Sequence, residues 1–311
     1  MEPGPSDAGV RAPAERRQVH FTSGATRCAA WHYPGTNGAC VIMAGGFAVP
    51  KEPATDLFAK RFNDAGFSVL AFDYRGLGRS GGQPRLVLPV RNQLADWEAA
   101  IGFAATLPGV DATRLALWGF SASGGHVIRV AARNPRLAAV IAQTPNVGGP
   151  AATRRVTAHQ KPLAMLRLTG RGIADAIGGL AGRPPLLVPL AGEPGSVAML
   201  TTPDAGDGPA ALDPDDQHPD WRRQAAARSA LRLAFYHPGR DTPRVRCPLL
   251  VLTCDQDQTA PPGPAVRAAR RAPHAELVSL PGRHYAPFME MHDQAADAEL
   301  SFLRRHLLAH P

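Results

Sequence analysis

Leu115-Ala116-Leu117-Trp118-Gly119-Phe120-Ser121-Ala122-Ser123-Gly124-Gly125-His126 is the stretch that decides how this chain is read. An apolar run leads into a serine flanked by small residues, and then into a segment suited to begin a helix. This is the layout of a strand–turn–helix elbow, in which a sharp turn lifts a serine hydroxyl clear of the backbone. Small neighbours are needed because so tight a turn leaves no room for branched side chains. Ser121 is therefore a candidate nucleophile. The competing reading is a helix N-cap serine, which requires no helpers elsewhere in the chain. Ser123 reads as a hydrogen-bonding residue at the helix start rather than as a rival nucleophile.

The sequence on either side of the elbow alternates strand and helix. Residues 39–43 and 68–72 are continuous apolar runs, the pattern of strands buried on both faces. Residues 18–21 and 29–33 suggest a hairpin around Ser23-Gly24. Helical spacing covers 56–65, 93–107 and 122–133. Strands are expected at 114–119 and 138–142. After a long interruption the rhythm resumes with a strand at 248–253, a helix at 263–271, a strand at 276–280 and a helix at 293–308. Such alternation implies an α/β fold, with a mostly parallel sheet, helices on both faces and right-handed crossovers. Between Pro150 and Pro243 the chain is rich in Gly, Pro and Ala and lacks that rhythm. Helices are expected there around 157–180 and 221–234. The predicted organisation is a disordered tail (1–17), a split core (18–147 and 244–311) and a cap inserted between them (148–243).

A serine hydroxyl is a poor nucleophile at neutral pH and needs a base, most often a histidine oriented by a carboxylate. In a sheet of this kind the partners follow the serine in the order acid, then histidine, on loops at the carboxyl ends of later strands. Both loops are present. Cys254-Asp255-Gln256-Asp257 follows one expected strand, and Pro281-Gly282-Arg283-His284 follows the next. Asp257 is assigned as the orienting acid, with Asp255 as its rival, and His284 as the base. An oxyanion hole needs two backbone N–H groups. Ala122, just after the nucleophile, is assigned as one. Phe47, in the turn after the 39–43 strand, is assigned as the other, with Gly46 second.

The remaining polar clusters have plainer readings. His126 is expected to be packed or hydrogen-bonded. Asp73 and Arg75 are expected to tie loops together near the site. Asp213, Asp215, Asp216, His218 and Asp220 read as a solvated acidic loop rather than a metal site. Met165, Leu166, Leu186, Leu187, Leu190, Met199, Leu200, Trp221, Phe235 and Tyr236 are the large apolar residues of the insertion, and most of them are expected to form its own core. Some of them are expected to line an acyl or alcohol pocket.

Composition narrows the class. The 311 residues carry a formal charge of +8. The basic residues are scattered and nearly all arginine, with no run beyond pairs such as Arg16-Arg17, Arg154-Arg155 and Arg222-Arg223. That gives no stripe for nucleic acid. No apolar run reaches the length of a membrane span, and residues 1–17 lack the apolar stretch of a signal peptide. A cytoplasmic location is expected, without a nucleic-acid or membrane partner. Cys28, Cys40, Cys247 and Cys254 form no CxxC pair, and Cys40, Cys247 and Cys254 lie in or beside apolar strands as small hydrophobes.

These motifs also resemble the α/β-hydrolase superfamily, in particular bacterial dienelactone-hydrolase-like and X-Pro-dipeptidyl-peptidase-like members. The resemblance runs from about Gln18 to Leu308, apart from much of the insertion. It is carried by Met43-Ala44-Gly45-Gly46-Phe47, by Phe72-Asp73-Tyr74-Arg75-Gly76-Leu77-Gly78-Arg79-Ser80, by the elbow, and by the Asp257 and His284 loops. It implies hydrolysis of an ester, thioester, lactone or amide without a metal or organic cofactor. Two positions depart from the family pattern. Gly45-Gly46 stands where His-Gly is common, which predicts a more flexible turn. Ser123 stands where the elbow usually has glycine. The expected substrate is a small acyl compound, a carrier-bound thioester among the candidates. The expected function is serine hydrolysis through an acyl-enzyme. A non-hydrolytic cyclase or acyl transferase on the same fold is the alternative.

Overall fold

A computed structural model describes residues 16–149, 154, 158–233 and 235–308. The chain opens with β1 (Arg17–Ser23) and β2 (Thr26–Tyr33), the expected antiparallel hairpin. It continues through β3 (Cys40–Ala44), α1 (Lys51–Asp64), β4 (Ser68–Phe72), α2 (Val90–Ala104), β5 (Leu115–Phe120), α3 (Ala122–Ala131) and β6 (Ala139–Gln143). Then come α4 (Pro162–Leu180), β7 (Leu187–Pro189), α5 (Gly208–Leu212), β8 (Gln224–Ala226) and α6 (Arg228–Leu233). The chain closes with β9 (Leu249–Cys254), α7 (Pro262–Ala269), β10 (Ala275–Leu280) and α8 (His292–Leu303).

Eight strands form one sheet in the order β1-β2-β4-β3-β5-β6-β9-β10. Only β2 runs against the others. Every residue of β3, β4, β5, β6 and β9 is buried. That is why they read as unbroken apolar runs rather than alternating ones. Register then places the loops. Gly119 of β5 lies opposite Ala44 and Ala142, so β3, β5 and β6 end level. Cys254 lies opposite Leu280, so the acid and histidine loops leave the same edge of the sheet.

Three elements depart from expectation for non-local reasons. Helix α1 begins at Lys51 rather than 56. Pro53 is tolerated because a first-turn N–H has no helical acceptor, and Asp73 accepts the Lys51 N–H at 2.8 Å from a distant loop. The helix expected over 221–234 is instead a short strand, β8, followed by α6. β8 pairs with β7, and the Ala226 and Ala227 N–H groups donate to the carbonyls of Leu86 and Leu186, both at 2.9 Å. The helix expected over 293–308 is α-helical only to Leu303 and ends in a π-helical turn, Arg304–Leu308. Of the expected tail, only Arg16 and Arg17 fall among the described residues. Arg16 pairs with Asp56 at 2.7 Å and Arg17 opens β1. Residue 157, the expected start of the first insertion helix, lies outside them, and α4 begins with Pro162 in its first turn, a favoured position. No helix among the described residues is long and apolar enough to cross a membrane.

Glu299 of α8 is fully buried; its Oε2 accepts the Trp118 indole N–H at 2.9 Å, and its Oε1 has no partner. Burial holds its carboxyl well above the ordinary range, opposed only by that hydrogen bond. Below the unfolded chain's glutamate pKa, both states hold the proton and folding carries no penalty. Above it, the unfolded chain releases the proton and the folded chain keeps it. Stability is then lost as pH rises towards the folded pKa, at about 1.4 kcal/mol per pH unit in that window. Glu299→Gln keeps an acceptor for Trp118 and removes the titration. Urea unfolding from pH 5 to 8 should show wild type weakening relative to the variant as pH rises. Parallel curves would overturn this assignment.

Candidate active site

The elbow is strained in the way a nucleophile requires. Ser121 sits at φ 56° and ψ −114°, and its hydroxyl makes no N-cap hydrogen bond to α3. Positive φ is uncommon for a non-glycine residue and persists only where its surroundings enforce it. Here the Ser121 N–H donates to the Gln143 carbonyl at 2.9 Å, and the Ser121 carbonyl accepts from Asn146 at 2.9 Å and Gly125 at 3.2 Å. A Cβ on Gly119 would lie 2.4 Å from the Ser123 carbonyl oxygen, so only glycine fits beneath the turn.

The three residues picked out by order and strand-end position meet in space. His284 Nε2 lies 3.0 Å from Ser121 Oγ. His284 Nδ1 lies 2.7 Å from Asp257 Oδ2. The other Asp257 oxygen accepts the Ala260 N–H at 2.6 Å. His284 and Asp257 are both buried. Burial raises the Asp257 carboxyl above its usual pKa, against the opposing pull of His284 and the Ala260 N–H. The Phe120 ring packs 5.1 Å from the imidazole, closing one side of it to water. Asp255, its rival, is instead exposed and accepts the Gly282 N–H at 2.9 Å.

The turn after β3 reaches the elbow. A Cβ on Gly46 would lie 3.4 Å from Ser121 Cβ, and Phe47 lines the same cavity as Ser121 and Ala122. The flexibility expected of Gly45-Gly46 is not what the packing shows. A Cβ on Gly45 would lie 2.7 Å from both Ala54 Cβ and the Val49 carbonyl oxygen, so no histidine fits there. Instead, the Gly45 carbonyl accepts the Ser123 hydroxyl. Ser123 Oγ lies 2.5 Å from the Tyr74 hydroxyl, which accepts the Trp97 indole N–H at 2.7 Å. The two departures from the family pattern thus meet in one buried hydrogen-bond chain, and serine at 123 anchors the glycine turn. Asp73 fixes the other end of that loop, accepting the Lys51 N–H and ammonium, each at 2.8 Å. Arg75 is structural too, bound to Asp96 at 2.7 Å.

Asp204 had no sequence signal. It lies between β7 and α5, yet its carboxylate accepts the Gln258 N–H and the Thr259 hydroxyl, each at 2.8 Å. Burial works against its ionisation, but these hydrogen bonds hold its pKa below the ordinary range. It therefore locks the loop that carries Asp257. His126 is buried between the Tyr236 hydroxyl (2.9 Å) and Gln93 (3.3 Å), and burial lowers its pKa to about 3. It is neutral and structural. Asp213 and Asp216 pair with Arg223, at 3.3 and 2.6 Å. The four cysteines are free and buried; burial pushes Cys40 to about 12 and Cys247 to about 11.

Above Ser121 lies a cavity of about 430 Å³. Met165, Met199, Leu200 and Phe235, from between β6 and β9, line it, beside Leu168 and Leu231. Others behave differently: Leu190 and Trp221 are buried in the core, and Tyr236 bonds His126.

Comparison with known proteins shows the family to which the chain belongs. The family described as Serine aminopeptidase, S33 matches residues 36–290. A quorum-quenching protein, AidA, from Acinetobacter baumannii (strain MDR-ZJ06) is 36% identical over 298 residues, covering 94% of this chain and 96% of that protein. A polyketide transferase, ATR5, from Stachybotrys chlorohalonatus (strain IBT 40285) is 31% identical over 235 residues, covering 75% and 76%. The crystal structure of the α/β hydrolase GrgF from Penicillium sp. sh18 superposes with a TM-score of 0.80 at 23% identity, covering 95% of this chain and all of that one. The chain belongs to the serine aminopeptidase S33 family of α/β hydrolases, and the matched stretch contains Ser121, Asp257, His284 and the turn that faces them.

Proposed function

We propose that this hydrolase cleaves a carboxyl ester, thioester or lactone through an acyl-enzyme on Ser121. The observation that carries this reading is the continuous relay Ser121 Oγ–His284–Asp257 opening onto an apolar cavity. His284 Nε2 takes the serine proton as Oγ attacks the carbonyl carbon. Asp257 accepts Nδ1–H and stabilises the imidazolium. The N–H groups of Phe47 and Ala122 receive the oxyanion, and the leaving alcohol or thiol departs with the proton from His284. A water that gives its proton to His284 then attacks the acyl carbon, and Ser121 recovers its own. No metal or organic cofactor takes part in these steps.

The lining favours a substrate with an aliphatic acyl or alcohol portion. A quorum-quenching relative acts, by its name, against signalling between cells, so small acylated signals belong among the substrates tested. The polyketide transferase relative keeps a second reading in view: transfer of the acyl group to a bound nucleophile instead of water.

The test is a series of p-nitrophenyl esters of increasing chain length, alongside acyl thioesters and lactones, with a fluorophosphonate probe. Each methylene buried is worth about 0.8 kcal/mol. kcat/KM should rise roughly fourfold per added carbon until the cavity is full, then fall, and the probe should label Ser121 stoichiometrically. Hydrolysis of none of these classes, with Ser121 unlabelled, would refute the proposal. Hydrolysis that is slow in water and gives way to acyl transfer when an alcohol is added would favour the second reading.

A further inference from the structure

Helix α4 is the one long helix whose solvent side is apolar, among the described residues. It rests on α6 at Gly172, which packs against Leu231, and at Asp175, which binds Arg228 at 2.8 Å. Its outward side carries Leu163, Leu166, Ile173, Ile177 and Leu180, each exposing between 49% and 91% of its surface. A surface helix ordinarily turns its polar residues outward.

These positions are ordered. Residues 163, 166, 170, 173, 177 and 180 are spaced by alternating steps of three and four, the repeat by which two helices pack along a seam. Gly170 occupies one of the six. Among the described residues it has no packing role, since a Cβ there meets nothing within 4 Å. Gly172, two residues on, does have one, because a Cβ there would lie 3.0 Å from Leu231 Cγ.

We propose that this face docks α4 of a second copy of the chain, antiparallel, in a two-fold symmetric dimer. A two-fold axis near the middle of the seam pairs Leu163 with Leu180, Leu166 with Ile177, and Gly170 with Ile173. The missing side chain of Gly170 then makes room for Ile173 of the second copy. The flanking positions agree: Arg167 faces Ala174 and Thr169 faces Ala176, so no two like charges are opposed. The five large side chains expose on the order of 600 Å² per copy, and covering both faces buries about 1,200 Å², the lower end of stable interfaces. Residues 1–15, the longest stretch outside the described ones, hold only Met1 and Val10 as large apolar side chains and cannot fill the seam. The side of α4 away from the seam supplies Met165 and Leu168 to the cavity wall, so docking steadies that wall. The inference rests on the outer face of α4 and does not depend on the reaction.

The test is sedimentation equilibrium of the full chain at micromolar concentration, with ester hydrolysis followed as a check on folding. Wild type should be a dimer. Gly170→Glu introduces a side chain that fits the free monomer, so it cannot misfold by a clash. It should raise the dimer dissociation constant by at least about a hundredfold and leave the circular dichroism spectrum unchanged. A Leu166→Cys/Ile177→Cys double variant should form interchain disulfides, whereas Leu166→Cys alone should not. A monomeric wild type, or a dimer that survives Gly170→Glu, overturns the proposal. So does a monomer that binds phosphatidylglycerol vesicles and loses them on Ile177→Glu, since a lipid surface would then cover this face.

Discussion

Ser121→Ala is expected to lower kcat on any ester the enzyme turns over by about 10⁴-fold or more, with the fold intact. The variant removes one oxygen and nothing that holds the turn. The N–H and carbonyl of residue 121 keep their partners at Gln143, Asn146 and Gly125. Alanine meets the same positive φ as serine, so the melting temperature should move little. What survives is the cavity and the proposed oxyanion donors, the N–H groups of Phe47 and Ala122, and such groups by themselves sustain roughly 10³-fold catalysis over water. Steady-state kinetics, with fluorophosphonate labelling as a second readout, checks this. Turnover within about tenfold of wild type would show that another group attacks the carbonyl.

Asp257→Asn should cost about 10⁴-fold in kcat, although the substitution is nearly isosteric. The Ala260 N–H donates to Asp257 Oδ1 at 2.6 Å, so an asparagine must keep its carbonyl oxygen there. Its NH₂ group then faces His284 Nδ1, which is forced to accept. The ring proton moves to Nε2, the atom 3.0 Å from Ser121 Oγ, and the base can no longer take the serine proton. Asp204 cannot substitute, since its oxygens are already engaged by Gln258 and Thr259. KM should change far less than kcat, because Asp257 does not line the cavity. A loss in kcat below about tenfold would mean that the tautomer of His284 is set by something else.

Much of this was legible in the residues. The buried strands announce themselves because burial on both faces admits only apolar side chains, so β3, β4, β5, β6 and β9 are runs without alternation. Ser121, Asp257 and His284 could be picked out because the order of chemistry-bearing residues at strand ends survives in the linear chain. The choice of Asp257 over Asp255 could be made but not proven from sequence, as two residues of spacing do not say which carboxylate reaches inward. Elements supported only by partners far away were harder to foresee. The first turn of α1 is capped by Asp73, and β8 exists because β7 lies beside it. Neither contact leaves a local signature.

A parallel α/β core, with a serine, an aspartate and a histidine delivered in order to one edge of it, can be read from the residues alone, because local periodicity and turn chemistry are written residue by residue. What long-range packing added is that Ser123 anchors Gly45, that Asp204 locks the loop of Asp257, and that methionine, leucine and phenylalanine from between β6 and β9 line the cavity over Ser121. Those outcomes depend on which side chains converge in three dimensions after the sheet has formed. Side-chain hydrogen bonds and packing act over a few ångströms in space, whatever their distance along the chain.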